Sequence, residues 1–489
     1  MTITIPTPTD TTADTVEALV TGAADAAAPL AAMALERRAA LLDAVADTLD
    51  AHADELVPLA HEETNLPLPR LTGEVARTTG QLRRFAAVVR DGAFLEAVVD
   101  HAVPDATPPQ PDLRRMLVPL GPTLVFSASN FPFAFSVAGG DTASALAAGC
   151  PVVVKAHPGH PRLSVRTAEL VQDALAAAGA PAGSFALVHG LEAGIRALEH
   201  PLLRAAAFTG STSAGRMLFD IAAARPEPIP FYGELGSTNP VFVTRDAVSA
   251  RGAELVEQYV ASFTLGAGQF CTKPGLLLLP AGHGLDETLA AVTGAVEGSA
   301  MLNESLHNGF VDRLRRLSAS SDRVLHAGTD GPAPSTSPTL LAASLAQVRA
   351  ERTLLDECFG PVSLVVEYDD EDELVDFAAE LDGQLTATIQ AEEHEADRLA
   401  PLLAALADRA GRVLWNGWPT GVAVTWAMHH GGPYPATTSA LHTAVGASAV
   451  RRFQRPVCFQ DLPEPALPEA LREDNPLHLP RRVDGRLVH

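Results

Sequence analysis

The feature that most constrains this fold is an alternation of short apolar runs and amphipathic segments. Each apolar run predicts a buried strand, and each amphipathic segment predicts a helix. The apolar runs are 123–129, 151–156, 184–190, 205–210, 240–244, 275–280, 362–368 and 385–391. The predicted helices are 135–148, 163–178, 191–200, 213–224, 251–265 and 284–297. Such alternation is typical of a parallel, doubly wound α/β sheet, here in two units that meet near residue 240.

The two ends of the chain read differently. Residues 31–60 and 71–90 are rich in Ala and Leu, with charges at helical spacing, and we predict helices there. The Pro-rich stretch 103–112 predicts a linker or an excursion from the domain. The tail after Pro456 is Pro-rich and lacks periodicity, so the sequence predicts no regular element in it.

Charge and cysteine usage exclude several classes of function. The formal net charge of −24 argues against a nucleic-acid partner, which needs a basic face. No basic stripe supports membrane-surface binding, and the uncharged stretch 116–140 is broken by Pro119, Pro122 and Pro132. The four cysteines show neither metal-ligand spacing nor a disulfide framework. The first basic residue is Arg37, so the N-terminus lacks the basic segment of a signal peptide, and we predict a cytoplasmic protein. From the cysteine spacing we also predict that no metal is bound.

Two positions stand out because only two of the 35 Lys and Arg residues are lysines, Lys155 and Lys273. Lys155 ends the run 151–156, and ligands of open α/β sheets bind at the carboxyl ends of strands. The stretch "FTGSTSAG", with Gly210 and Ser211, predicts a strand, a Gly turn and a helix N-terminus that offers N–H groups to an anion. Both patterns favour a cofactor site, although many βα turns resemble the second one.

Three other residues carry candidate chemistry. Cys271 lies in the Gly-rich stretch "GAGQFCTKPG", where the backbone can approach a substrate closely. A nucleophilic cysteine needs a base and donors for the oxyanion that it creates. Glu234 follows an apolar strand and is a candidate base, and Asn130 at another strand end is a candidate amide donor. Each alone is equally consistent with an inert loop cysteine, a solvated acid or ordinary turn chemistry.

Six motifs taken together resemble the NAD(P)-dependent aldehyde dehydrogenase superfamily over nearly the whole chain. They are "NFPF", "VVVKAHP", "FTGSTSAG", "GELGSTNP", "GQFCT" and "ECFGPV". The resemblance implies a Rossmann-type cofactor domain, an α/β catalytic domain, a small oligomerisation element and a homodimer or homotetramer. The implied boundaries are 1–101 and 122–236 with part of 440–460 for the cofactor domain, 237–439 for the catalytic domain, and 102–121 and 461–489 for the oligomerisation segments.

The resemblance also implies chemical roles. Cys271 matches the nucleophile, which adds to an aldehyde carbonyl and gives a thiohemiacetal. Hydride transfer to the nicotinamide then leaves a thioester. Asn130 matches the oxyanion-hole amide, which acts with the Cys271 N–H, and Glu234 matches the base that activates the hydrolytic water.

The resemblance also implies residues that bind the cofactor. Lys155 and Glu357 match the residues that hold the two riboses, and Phe359 matches the aromatic residue beside the nicotinamide ribose. Ser211 matches the serine that contacts the pyrophosphate. One position departs from the pattern of NAD-preferring members, which often carry an acid three residues after the lysine. Here that position is Pro158, so a 2′-phosphate is not repelled. Lys155, His157, His160 and Arg162 are candidate partners for it. We predict that NADP is preferred, with NAD also accepted.

Four further segments resemble the branch of this superfamily that oxidises 2-oxoglutarate semialdehyde (2,5-dioxopentanoate). They are "RTTGQLRRFA", "GQFCTKPG", "NGWPTGVAVTWAMHHGGPYPAT" and "RRFQRPVCFQDLP". The resemblance puts the helix that carries "GQLR" along the substrate tunnel. We predict that Arg83 binds the substrate carboxylate, and that Gln81 also contacts the substrate.

Several alternatives stay open at this stage. Lys273 is expected to lower the thiol pKa, bind a substrate carboxylate or cap a loop. His429 and His430 are expected to have a structural or substrate-loop role, because no third metal ligand follows at a convincing spacing. The competing functions are oxidation of succinate semialdehyde or an aliphatic aldehyde, a cysteine hydrolase, and a non-catalytic homologue.

Overall fold

The computed structural model describes residues 6–329 and 333–488. The N-terminal part is helical, as expected, but 31–60 is split at His52, and the first helix was not predicted. The elements are α1 (Ala13–Ala31), α2 (Leu35–Ala51), α3 (Ala53–Thr64), α4 (Leu68–Asp91), β1 (Val98–Asp100) and β2 (Leu113–Pro119).

The first sheet has five parallel strands in the order β5-β4-β3-β6-β7. Its elements are β3 (Thr123–Phe126), α5 (Gly140–Ala148), β4 (Val152–Lys155), α6 (Pro161–Ala177), β5 (Phe185–Val188), α7 (Leu191–Glu199), β6 (Ala205–Thr209), α8 (Thr212–Ala224) and β7 (Phe231–Glu234). The chain leaves β3 towards β4 and later returns to its other side with β6, which confirms the doubly wound prediction. The carboxyl ends of β3 and β6 therefore flank the crevice where such sheets bind ligands.

Both faces of this sheet are covered, which explains its continuous apolar strands. Val125 and Val154 pack into the cluster under α2, α4, α5 and α6, whereas Leu124 and Val153 face the cluster under α1, α7 and α8. Helix α5 begins five residues later than predicted. The buried carboxylate of Glu74 accepts hydrogen bonds from the N–H groups of Phe133 (2.8 Å) and Ala134 (3.0 Å), which keeps this segment in a turn.

The second sheet has seven strands in the order β11-β13-β14-β9-β8-β15-β16, and only β11 is antiparallel to its neighbour. Helix α9 begins earlier than predicted and is kinked at Arg251 (φ −147°). The elements are β8 (Val241–Val243), α9 (Arg245–Thr264), β9 (Leu276–Pro280), α10 (Asp286–Gly294), β10 (Ser299–Ala300), α11 (Glu304–Ser320), β11 (Arg323–His326), β12 (Ser335–Thr336), β13 (Thr339–Ser344), α12 (Leu345–Ala350), β14 (Val362–Tyr368), α13 (Glu373–Glu380), β15 (Gln384–Gln390), α14 (Ala400–Arg409) and β16 (Ala410–Trp415).

The C-terminal tail is more regular than its composition predicts. It forms β17 (Gln454–Gln460), β18 (Arg481–Val483) and β19 (Arg486–Val488). They join β1 and β2 in a sheet of order β17-β2-β1-β18-β19, in which Gln454 pairs with Pro119. Short 3₁₀ helices lie at Ala93–Leu95, Leu265–Gly268, Arg352–Leu355, Glu393–Glu395, Ala447–Phe453, Glu464–Ala466 and Glu469–Leu471. Within the described residues, no helix has the length and apolarity needed to cross a membrane.

Candidate active site

A glycine and an asparagine fix the loop that carries Cys271. Gly268, three residues before Cys271, has φ +64°, and a Cβ there would lie 2.2 Å from the Gly360 carbonyl oxygen. Only glycine fits this approach. The Asn239 side-chain N–H group donates to the carbonyls of Cys271 (2.8 Å) and Lys273 (2.9 Å), which fixes the loop on the strand side. The thiol is thus presented by a rigid turn.

Asn130 approaches the same loop from the end of β3. Its Nδ2 donates to the carbonyl of Gln269 at 3.1 Å, two residues before Cys271. Its own carbonyl accepts from the Arg70 guanidinium at 2.7 Å. Because a side-chain amide carries two N–H donors, one remains for another acceptor. This placement is compatible with the predicted oxyanion donor.

Glu234 is the last residue of β7. Hydrogen bonds join the end of this strand to a loop that lies about 200 residues later in the chain. The Leu235 N–H donates to the Ala436 carbonyl (2.8 Å), and the Thr438 N–H donates to the Gly233 carbonyl (3.0 Å). The Thr438 hydroxyl in turn accepts from the Gly233 N–H at 2.8 Å. These bonds bring the stretch "HHGGPYPAT" beside the carboxylate.

His430 lies between Glu234 and Cys271. Its Nε2 is 2.7 Å from Glu234 Oε1 and 3.5 Å from Cys271 Sγ. The side chains of His430 and Glu234 are 1% and 2% exposed, so this pair is removed from water. The sequence alone does not predict this contact, although the histidine pair and the loop that carries it both stand out in it.

The thiol is held protonated in this environment. Burial raises the pKa of Cys271 well above its ordinary value, and the negative charge and hydrogen bonding of Glu234 add to this effect. The positive charge of Arg77 acts in the opposite direction. A protonated resting thiol needs a base before it can act as a nucleophile, and Glu234 is the acid close enough to accept its proton.

Lys273 caps a loop, which was one of its three expected roles. Its buried ammonium donates to the carbonyls of Cys358 (2.8 Å) and Val362 (2.7 Å). Burial lowers the pKa of Lys273, and nearby Cys358 and Glu357 counteract that shift. The charges that act on the Cys271 pKa are those of Glu234, Arg77 and Glu357. Lys273 therefore fastens the nucleophile loop to the stretch "ECFGPV".

That stretch carries Glu357 and Phe359. Burial raises the pKa of Glu357 to about 7, against the opposing charge of Lys273 and a hydrogen bond from the Ser237 backbone. A Cβ at Gly236 would lie 2.6 Å from Glu357 Oε2, so the glycine makes room for the carboxylate. Phe359 is half-buried in the same loop.

The other predicted cofactor residues lie at the carboxyl ends of β4 and β6. Lys155 ends β4, and burial lowers its pKa. Ser211 caps α8 by accepting from the Ala214 N–H at 3.3 Å, and the Gly210 N–H donates to the Glu234 carbonyl at 3.0 Å. Helix α8 therefore begins at this edge of the sheet. The backbone N–H groups at a helix N-terminus attract an anion.

The histidines and the arginine near Lys155 differ from expectation. His160 is fully buried, and its Nε2 contacts the Ala128 carbonyl at 3.0 Å. Arg162 is paired with Glu62 and Glu63. His160 and Arg162 are therefore both engaged by the chain and are not free to bind a 2′-phosphate. Burial, His160 and Lys155 lower the pKa of His157 to about 3, which makes it a neutral hydrogen-bonding group.

Arg83 is not brought to this site in the structure, which argues against the predicted contact with the substrate carboxylate. It forms surface ion pairs with Asp47 (2.6 Å) and Asp50 (2.8 Å), and 43% of its side chain is exposed. Gln81 is buried, but it faces the start of α5, where a Cβ at Gly140 would lie 3.0 Å from its Nε2. The physical reason is helical phase, because core contacts fix the buried face of α4.

A different arginine of α4 faces the thiol. Arg77 is close enough to Cys271 and Glu234 for its charge to act on both. Its guanidinium lies over the rings of Phe131 and Phe135, each at 5.3 Å, and burial lowers its pKa. Its Nε and one terminal nitrogen are buried and have no hydrogen-bond partner among the described residues.

Two more arginines complete what we call the arginine cluster, Arg70, Arg77 and Arg412. Arg70 lies over Phe131 (5.2 Å) and Phe270 (4.9 Å), and Arg412 is near enough to Cys271 to be affected by its charge. Each has one buried guanidinium nitrogen without a partner among the described residues. The buried carboxylate of Glu74 already acts as an opposite charge on Arg70 and Arg77. The buried nitrogens without a hydrogen-bond partner leave this cluster able to bind a further anion.

Two groups of side chains within the described part of the chain have metal-ligating types close together. In one, donor atoms of Glu234, Cys271 and His430 lie within 4.8 Å of one another. Ligand nitrogens and oxygens around a tetrahedral zinc ion are about 3.3 Å apart, so the 2.7 Å contact is a direct hydrogen bond. In the other, Arg323 already pairs with both acids that accompany His283. The prediction that no metal is used stays a prediction.

Comparison with known proteins identifies the class to which this fold and site belong. The model of the aldehyde dehydrogenase family matches residues 3–455, and the chain belongs to that family. Members of this family oxidise aldehydes with NAD or NADP.

Two curated relatives are more specific. The chain is 47% identical to alpha-ketoglutaric semialdehyde dehydrogenase 2 of Azospirillum brasilense over 463 residues, which cover 93% of this chain and 88% of the relative. It is 42% identical to alpha-ketoglutaric semialdehyde dehydrogenase of Acinetobacter baylyi over 462 residues, with the same two shares.

Solved structures agree with the fold at lower identity. A structure of aldehyde dehydrogenase 21 from Physcomitrella patens in complex with succinate has a TM-score of 0.79 and 20% identity, covering 94% of this chain and 92% of the other. A lactaldehyde dehydrogenase structure has a TM-score of 0.79 and 23% identity, covering 92% of both chains. Likeness at this level supports the fold alone.

Proposed function

We propose that this aldehyde dehydrogenase oxidises 2-oxoglutarate semialdehyde to 2-oxoglutarate. The names of the two curated relatives support this substrate. The observation that carries the proposal is the arginine cluster beside Cys271, whose unpartnered guanidinium nitrogens suit an acidic aldehyde. An enzyme for aliphatic aldehydes has no use for guanidinium nitrogens left without a hydrogen-bond partner at this point.

The proposed chemistry begins at Cys271. Its thiol loses a proton to Glu234, and the sulfur forms a bond to the aldehyde carbon. The developing oxyanion accepts hydrogen bonds from the second N–H of Asn130 and the backbone N–H of Cys271. Reformation of the carbonyl expels a hydride and leaves a thioester on the sulfur.

Hydrolysis returns the enzyme to its starting state. Glu234 first releases the thiol proton to solvent and becomes a carboxylate again. It then takes a proton from a water molecule, whose oxygen attacks the thioester carbon. The carbon–sulfur bond breaks, 2-oxoglutarate leaves, and the thiolate takes that proton back from Glu234. Burial of the Glu234 and His430 side chains keeps bulk water from competing during the first half of the cycle.

Arg77 replaces Arg83 in the proposed binding of the substrate carboxylate, with Arg70 as its neighbour. Both guanidinium groups are stacked on Phe131 and are therefore held in place. A fixed, planar guanidinium forms paired hydrogen bonds with a carboxylate. The aromatic walls exclude water and strengthen this contact.

The residues present fit a nicotinamide cofactor, which accepts the hydride when bound. Gly236 leaves space beside Glu357, and the N-terminus of α8 with Ser211 offers N–H groups to a pyrophosphate. Lys155 and Glu357 would hold the two riboses, and Phe359 and Gly210 would lie beside the nicotinamide half and the pyrophosphate.

We retain NADP as the preferred cofactor, with Lys155 as the cation and His157 as a neutral hydrogen-bonding group at the end of β4. One charge opposes this preference. Asp10 acts electrostatically on Lys155, and its carboxylate covers Gly190, where a Cβ would lie 2.6 Å from its Cγ. An acid at this position disfavours a 2′-phosphate, so the Asp10 carboxylate sets how strong the preference is.

The proposed homodimer or homotetramer would use the sheet formed by β17, β2, β1, β18 and β19. Its strands come from both segments that the resemblance assigned to oligomerisation, and also from 98–100 and 454–460. Strand β17 lies at an edge and leaves backbone groups unpaired, which a second chain can satisfy.

The test of the proposed function is the appearance of reduced nicotinamide by absorbance. The protein is mixed with NADP or NAD and with 2-oxoglutarate semialdehyde, succinate semialdehyde or propanal, and the Cys271→Ala variant is the control. We expect Cys271-dependent reduction with the highest kcat/KM for 2-oxoglutarate semialdehyde. Equal or better kcat/KM for propanal would refute the substrate, and reduction by the Cys271→Ala variant would refute the mechanism.

A further inference from the structure

His430 occupies a position at which one nitrogen contacts both reactive groups. Its Nε2 lies 2.7 Å from Glu234 Oε1 and 3.5 Å from Cys271 Sγ. A carboxylate only accepts hydrogen bonds, so the shorter contact places the proton on Nε2. The N–H group is thereby shared between the carboxylate and the sulfur.

We propose that His430 is a positioning residue that fixes Glu234 as the proton acceptor of Cys271 and stabilises the thiolate once it forms. Glu234 Oε1 is engaged by His430, whereas Oε2 is buried without a partner among the described residues. Oε2 is therefore the oxygen left to accept the thiol proton. The S–H bond breaks, an O–H bond forms on Oε2, and the Nε2–H group faces the new thiolate.

The backbone around His430 is built to keep the ring in place. The His430 N–H donates to the Thr443 hydroxyl (2.8 Å), and its carbonyl accepts from the Ala444 N–H (2.8 Å). Gly432 has φ +152°, and a Cβ there would lie 2.2 Å from the Gln384 carbonyl oxygen. The loop therefore approaches the second sheet only because glycine stands at this position. These contacts fix the backbone of His430, and the hydrogen bond of Nε2 to Glu234 then orients the ring.

The other charged groups around His430 do not take over this role. Burial lowers the pKa of His429 and of His442, so both are neutral. Arg452, across a cavity of about 20 Å³ from His430, is paired with Asp141 at 2.7 Å. Arg77 acts on Glu234 and Cys271 from α4, but it forms no hydrogen bond to either. Within the described residues, His430 is the side-chain donor to Glu234.

The inference rests on the proposed roles of Cys271 and Glu234, and its test needs no substrate. The probe is iodoacetamide, and the readout is the rate of alkylation of the Cys271 peptide, followed by mass spectrometry from about pH 6 to about pH 10. Following that peptide separates its signal from the exposed Cys458. The variants are His430→Leu, His430→Gln and His430→Asn, and the matched control is the neighbouring His429→Leu.

We expect His430→Leu to slow alkylation at about pH 8 by roughly tenfold, which is the effect of one lost hydrogen bond to a charged group. His430→Gln is expected to stay within about threefold of the wild type, because its amide nitrogen reaches the position of Nε2. His430→Asn places its amide at the position of Nδ1 and is expected to resemble Leu. His429→Leu is expected to react like the wild type.

The proposal would be overturned if the folded His430→Leu variant were alkylated at the wild-type rate. It would also be overturned if the His430→Gln and His430→Asn variants lost the same fraction of that rate. Thermal unfolding identifies a Leu variant that does not fold, and the comparison of Gln with Asn then decides. Failure of the proposed substrate assay leaves this readout intact, so the two proposals fail separately.

Discussion

Replacing Arg77 by methionine tests the substrate site most sharply. Methionine keeps much of the volume over Phe131 and Phe135 and removes the charge. A hydrogen bond to a charged group contributes about 1.5–3 kcal/mol. Since each step of about 1.4 kcal/mol corresponds to a factor of ten, kcat/KM for 2-oxoglutarate semialdehyde is expected to fall by about 10- to 150-fold. The unfolding free energy is expected to fall modestly, because the buried Glu74 carboxylate loses the positive charge of Arg77 and two cation–π contacts are removed.

The assay is steady-state reduction of the nicotinamide with 2-oxoglutarate semialdehyde and with butanal, an uncharged aldehyde. Butanal is expected to lose much less, because for this aldehyde only the effect of the Arg77 charge on the Cys271 pKa is removed. Arg83→Met is the matched control on the same helix, because Arg83 is exposed and paired with Asp47 and Asp50. An equal loss for both aldehydes would refute the carboxylate role of Arg77. A selective loss in Arg83→Met with none in Arg77→Met would restore the original prediction.

Three further predictions concern the cofactor half and the loop. Lys273→Met leaves the Cys358 and Val362 carbonyls without their donor, so the unfolding free energy in urea is expected to fall by about 2–4 kcal/mol; an unchanged midpoint would contradict the capping role. Asp10→Asn removes the charge beside Lys155 and is expected to raise kcat/KM for NADP relative to NAD, whereas an unchanged ratio would remove Asp10 from the site. The folded pKa of Glu357 is raised to about 7, so the folded state binds the proton more tightly than the unfolded state, and the wild type loses stability as the pH rises from the ordinary glutamate pKa to about 7. The test compares the unfolding free energies of Glu357→Gln and the wild type, both without cofactor, as a function of pH. The variant is expected to become more stable relative to the wild type between these two pKa values, and the difference is expected to stay constant at higher pH. A difference that does not change with pH would contradict a raised Glu357 pKa.

The sequence predicts the sheets better than the ends of the chain. Short apolar runs such as 123–129 and 205–210 have few alternatives to a buried parallel strand, and both became strands. Strand β17 is different, because its partner β2 lies more than 300 residues earlier and its Pro-rich sequence carries no local signal. Helix α5 was placed too early because the hydrogen bonds from Phe133 and Ala134 to Glu74 are tertiary contacts.

The candidate site divides in the same way. Cys271, Glu234 and Asn130 stand in local motifs, and the structure places all three around one loop. His430 is 159 residues from Cys271 and 196 from Glu234, and nothing local in the sequence fixes that contact.

Helical geometry favours Arg77 over Arg83 as the arginine beside Cys271. Successive residues of an α-helix are about 100° apart, so Arg83 lies about a third of a turn away from Arg77 around α4. The buried residues of α4 set which side is inside, and Arg83 is on the outer side. The motif "RTTGQLRRFA" contains both arginines, and only the packing of α4 distinguishes them.

The most direct test of the central claim is the mass of the Cys271 peptide after a single turnover. The wild-type protein, with NADP and in excess over 2-oxoglutarate semialdehyde, is quenched in acid at successive times within that turnover and digested. We expect the Cys271 peptide to become heavier by the substrate less two hydrogens as reduced nicotinamide appears, and the Glu234→Gln variant, which lacks the acceptor of the thiol proton, to form both more slowly. Reduced nicotinamide without this adduct, or an adduct on Cys150, Cys358 or Cys458 instead, would contradict the proposed nucleophile.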